Sequence, residues 1–79
     1  MEDKLKKIVA RVLGLSKNNI GKDTSANTVV GWDSLKQMDL IANIEREFGV
    51  EFTDEQIEDM ISYDVIRSVL YEIFKKSKM

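Results

Sequence analysis

"GWDSLKQMDL", Gly31 to Leu40, places a serine where an apolar helical pattern begins. An aspartate precedes that serine, a leucine follows it, and a run of small polar residues leads in. A serine in this position is either a helix cap or a chemical handle. For the cap, Ser34 and Gln37 have the spacing of a capping box, in which the hydroxyl accepts a backbone N–H and the glutamine reaches back. Asp33 beside them suits the positive end of a helix dipole. For the handle, a helix N-terminus offers free N–H groups and partial positive charge, both favourable to a phosphate. A hydroxyl at the end of a long loop is also open to a modifying enzyme.

Outward from this stretch the pattern is helical throughout. Leu5, Ile8, Val9, Val12 and Leu13 have the spacing of one helical face, and Gly14 is a stop. Residues 15–33, "LSKNNIGKDTSANTVVGWD", read as a long loop whose anchors Leu15, Ile20, Val29, Val30 and Trp32 pack across the helices. A second helix is expected from Ser34 to Phe48, with Leu35, Met38, Ile41, Ile44 and Phe48 inward and Gly49 as its stop. Thr53 and Gln56 have capping-box spacing and open a short third helix through about Met60. A fourth is expected from near Asp64 to about Phe74, with Val65, Ile66, Val69, Leu70, Ile73 and Phe74 as its stripe and "KKSKM" as a solvated tail. The fold expected is all-α: one domain over residues 1–79, a four-helix bundle with a long loop between helices 1 and 2 and a short third helix.

Composition narrows the function. A 79-residue chain that is 43% apolar makes one modest core, since domains this small bury about 60–70% of their unfolded surface. A deep enclosed active site is not expected. Without Cys or His there is no disulfide, no zinc site of the usual ligands and no Ser/His or Cys/His pair. Any thiol chemistry must therefore be supplied by an attached group. No apolar run approaches the roughly 20 residues of a membrane span, and the charged start "MEDKLKKIVARVLG" is no signal peptide. A cytoplasmic monomer that does not insert into membranes is the expectation.

The net charge of −2 hides an asymmetry. Residues 33–64 hold ten acids and two bases, net −8, whereas the remainder holds four acids and ten bases, net +6. Such a centre disfavours nucleic acid. It is either a docking surface for basic partners or a set of solvated helix faces.

The stretch "DSLKQMDLIANIEREFGVEFTDEQIEDM", residues 33–60, resembles the centre of an acyl carrier protein. In that family Asp-Ser-Leu opens the second helix and the serine carries 4'-phosphopantetheine. The likeness continues through Glu45–Phe48 and the acidic third helix, and element order matches over nearly the whole chain. The resemblance implies a non-enzymatic, freestanding carrier that holds acyl groups as thioesters and delivers them to partner enzymes. Ser34 is the implied attachment site for an arm transferred from coenzyme A by a phosphopantetheinyl transferase, with Asp33 assisting that carrier synthase near its magnesium ion. Leu35 and Met38 match apolar docking positions. Asp39, Glu45 and Asp54 match acidic positions that meet basic patches on acyl-transferring and acyl-modifying enzymes. Leu40, Ile41, Ile44, Phe52, Met60, Ile66 and Val69 match the lining of the acyl cavity, a role compatible with ordinary core packing.

Departures from the family pattern point to specialisation. General fatty acid carriers usually have an acidic residue after Asp-Ser-Leu, where this chain has Lys36. Arg46, the basic ends and Trp32 are also atypical. They suggest a dedicated lipid, polyketide or related pathway, with Lys36 selecting partners. An aminoacyl or peptidyl carrier, or an unmodified helical interaction module, are the alternative readings.

Overall fold

The computed structural model describes residues 1–77 and bears out the all-α bundle. Helix α1 spans Glu2–Leu13, α2 Ser34–Phe48, α3 Asp54–Asp59 and α4 Tyr63–Ser77. Gly14 and Gly49 end α1 and α2 in the left-handed conformation, at φ 70° and 65°, where a residue without Cβ avoids a steric penalty. Both stops were legible from the sequence. So was the box opening α3: the Gln56 N–H donates to Thr53 Oγ1 at 3.1 Å and the Thr53 N–H to Gln56 Oε1 at 2.9 Å.

The core joins all four helices. Leu5 and Val9 of α1, Leu40 and Ile44 of α2, Met60 after α3, and Ile66 and Leu70 of α4 are fully buried. Phe48 and Phe74 close one end edge to face, with ring centroids 6.0 Å apart.

Three expectations are corrected. Leu35 and Met38 point outward, at 80% and 60% exposure. The buried face of α2 runs through Leu40, Ile41 and Ile44 with Gln37 at its upper end, and a helix turns Leu35 and Met38 well away from that line. Val30 does not anchor the loop, being 100% exposed. Helix α4 starts at Tyr63, near Asp64 as expected, but continues past Phe74 through Lys75, Lys76 and Ser77, because the lysines are good helix formers and complement the negative end of the dipole. The last two residues of "KKSKM" lie outside the described residues.

The long loop is built rather than slack. It contains a 3-10 turn at Lys17–Asn19, which the periodicity did not reveal, with the Ser16 side chain accepting from the Asn18 N–H. Ile20, Thr24 and Trp32 are buried. The loop pairs briefly with the α3–α4 junction: the Ala26 N–H donates to the Ile61 carbonyl at 2.8 Å and the Tyr63 N–H to the Thr24 carbonyl at 2.9 Å. These bonds bring the loop's end, and therefore Ser34, beside α3.

Candidate functional site

Ser34 is the first residue of α2 and is exposed. The residue before it does the capping. Asp33, at φ −114° and ψ −170°, accepts the Lys36 N–H on Oδ1 at 2.9 Å, and its carbonyl accepts the Gln37 N–H at 2.8 Å. The Ser34–Gln37 capping box does not form. Among the described residues nothing engages the Ser34 hydroxyl, which leaves it open for chemistry at the positive end of a helix dipole.

Gln37 is committed elsewhere. Its Oε1 accepts the Trp32 indole N–H at 2.7 Å, and its Nε2 donates to the carbonyls of Ile57 at 3.1 Å and Met60 at 2.9 Å. One carboxamide thus ties together the loop, α2 and the end of α3. A cleft of about 430 Å³ opens beside it, lined by Ala26, Trp32, Asp33, Ser34, Gln37, Met38, Ile57, Glu58 and Ile61.

The residues singled out from the sequence fall into three groups. Asp33, Ser34, Leu35, Lys36, Met38 and Asp39 form one exposed surface over the first turns of α2. Leu40, Ile41, Ile44, Phe52, Met60 and Ile66 are packed together in the core, with Val69 partly buried against them; none of these seven lines the 430 Å³ cleft. Glu45 and Asp54 stand apart from Ser34. Asp54 is exposed at the start of α3. Glu45 is half-buried, and its Oε2 accepts the Phe52 N–H at 2.9 Å, fastening the α2–α3 connection.

Sequence reading missed Ile57, Glu58 and Ile61 as cleft residues and Gln37 as the link. A polar side chain on the apolar face of α2 was the available signal for Gln37.

The charge asymmetry acquires a geometry here. Lys4 of α1 reaches the Glu47 carboxylate at 3.6 Å and its carbonyl at 3.2 Å, while Arg11 donates to Asn43. Lys7 and Lys17 both reach Asp3, holding its carboxyl below the usual range chiefly through the Lys17 hydrogen bond. Much of the basic charge of α1 is therefore used within the molecule. Around Ser34 the exposed acids are Asp33, Asp39 and Glu58, with Lys36 as a cation among them, and Leu35, Met38 and Ile61 add exposed apolar surface. An apolar surface among acidic side chains suits partners that carry a basic rim. Among the described residues no cluster of metal-ligating side chains occurs, and no helix is long and apolar enough to cross a membrane.

Residues 3–70 match the family model described as the phosphopantetheine attachment site. The chain is also 35% identical over 75 residues to the acyl carrier protein of Buchnera aphidicola subsp. Baizongia pistaciae (strain Bp), covering 90% of this chain and 96% of that protein. The chain belongs to the acyl carrier protein family. Members of this family are carriers and not catalysts, and the group they carry is 4'-phosphopantetheine. That covalent arm supplies the thiol that a chain without cysteine lacks. The exposed first turn of α2, with its satisfied cap and adjoining cleft, fits such a group: the arm's phosphate would meet a helix N-terminus and its apolar portion would meet Trp32, Met38 and Ile57.

Proposed function

We propose that Ser34 is the attachment site and that residues 1–79 form a single carrier domain, monomeric and cytoplasmic, serving a dedicated acyl pathway of the lipid or polyketide type. The observation that carries this reading is the division of labour at the start of α2. Asp33 satisfies the helix end while Ser34, one residue on, presents an exposed and unengaged hydroxyl. The serine oxygen attacks the phosphorus of coenzyme A nearest the pantetheine; the adenosine bisphosphate portion leaves, and the hydroxyl proton passes to base in the transferase. The holo protein then holds acyl groups as thioesters on the arm's sulfur.

Lys36 beside Ser34 supports a dedicated pathway. It places a cation where partners built for a uniformly acidic helix would meet repulsion. The acidic Asp39 and the apolar Leu35 and Met38 form the docking surface for the transferase and for acyl-transferring enzymes, with Asp54 at the start of α3 as a separate acidic contact.

The test is intact mass after incubation with coenzyme A and a broad-specificity phosphopantetheinyl transferase. The wild type gains one phosphopantetheine and Ser34→Ala gains none. An unchanged wild-type mass, or a gain that survives Ser34→Ala, overturns the assignment.

A further inference from the structure

Gln37 stands between two regions of different character. On one side lies the 430 Å³ cleft that begins at Ser34 and is lined by Trp32, Met38, Ile57 and Ile61. On the other, one helical turn further along α2, lie Leu40 and Ile41, packed with Met60 at 0–3% exposure. The Gln37 carboxamide spans the boundary. Its Nε2 spends both protons on the Ile57 and Met60 carbonyls at the end of α3, and Oε1 holds the Trp32 indole. Helix α3 has six residues and buries none of them fully, so its position depends on such ties more than on packing of its own.

We propose that Gln37 is a specificity-determining gate, which sets how long an acyl group must be before it passes from the cleft into the core. The inference rests on attachment at Ser34 and on the expectation that Leu40, Ile41 and Met60 line the space a long acyl chain enters. A short acyl group resting in the cleft leaves all three Gln37 bonds intact. A longer one reaches the core only by displacing α3 from α2, which breaks them. Each such bond is worth roughly a factor of 2–10 net, and each methylene moved from water into the core roughly a factor of 4. The gate therefore holds until about three to four methylenes are available beyond those the cleft accepts. Gln37 acts through α3 and Trp32 and does not hold the acyl group itself.

The test uses holo protein loaded with butyryl, hexanoyl, octanoyl, decanoyl and dodecanoyl groups, each confirmed by intact mass. Two quantities are followed: the Tm of each acyl form and the emission of Trp32, the single tryptophan. In the wild type the short acyl forms match the holo protein in both, and Tm rises only beyond a threshold length. Emission shifts at that same length, because the indole then loses its acceptor. Gln37→Met keeps the side-chain length and removes all three bonds, so the rise in Tm begins about three to four carbons earlier. Trp32→Phe removes one bond and moves the threshold by about one carbon; it also decides the matter if Gln37→Met does not fold. Equal thresholds in wild type and variants, or a wild type already stabilised by butyryl, overturn the gate while leaving attachment intact. Failure to load at Ser34 shows first as an unchanged mass and overturns both readings.

Discussion

Asp33 Oδ1 accepts the Lys36 backbone N–H at 2.9 Å, and this one bond separates the structural role at the start of α2 from the chemical one. Had Ser34 been the cap, its oxygen would be occupied and any group attached there would uncap the helix. With Asp33 in that role, esterification of Ser34 leaves the helix end satisfied. Asp33→Ala should therefore cost about 0.5–2 kcal/mol in urea denaturation. Ser34→Ala should cost no more than about 0.5 kcal/mol while abolishing the phosphopantetheine mass gain. A larger loss in Ser34→Ala would return the capping role to serine.

Glu45 and Asp39 are both docking positions by expectation from the resemblance, yet the structure gives them different surroundings. The Glu45 carboxylate holds the Phe52 N–H at 2.9 Å, so Glu45→Ala should destabilise by roughly 1–3 kcal/mol, with Glu45→Gln recovering much of it through the retained acceptor. The Asp39 side chain is exposed. Asp39→Lys should change stability by no more than about 0.5 kcal/mol but slow reaction with partner enzymes, and the difference from wild type should shrink as salt rises. Chemical denaturation and rates at two ionic strengths separate the two effects.

Lys36 is the cation beside Ser34, the proposed attachment residue. Lys36→Glu should raise turnover by enzymes of general fatty acid synthesis and lower it with the cognate enzymes, without change in loading. Comparable rates for wild type and variant with both enzyme sets would reduce Lys36 to an ordinary solvated side chain.

The Tyr63 hydroxyl is buried beside the Glu2 carboxylate. Burial first, and then the negative charge of Glu2, push its ionisation above the usual value near 10. The native state thus favours the neutral phenol. That contribution is complete below the unfolded value and is lost as pH rises through the folded one. Stability should fall above about pH 10, and Tyr63→Phe should flatten that fall. Because the variant removes a buried hydroxyl together with its interaction with Glu2, its stability at neutral pH should stay within about 1 kcal/mol of wild type. Denaturant midpoints from pH 7 to 11 provide the check.

Helix existence, the stops at Gly14 and Gly49 and the Thr53–Gln56 box were all legible in the sequence alone. Each depends on residues within a few positions of one another, where periodicity, capping chemistry and glycine's left-handed tolerance act locally. The family motif at Asp33–Leu35 is local in the same sense. Tertiary structure decided what depends on which surfaces meet. Leu35 and Met38 continue an apolar pattern, but no helix covers them, so they face solvent. Val30 is as apolar as Val29, yet only Val29 turns back onto the core. Glu45 and Gln37 look like surface polar residues until the α2–α3 connection and the end of α3 bring backbone groups to them from seven and from 20 and 23 residues away. A buried backbone N–H or carbonyl must find a partner somewhere, and which side chain answers is settled only when the helices pack.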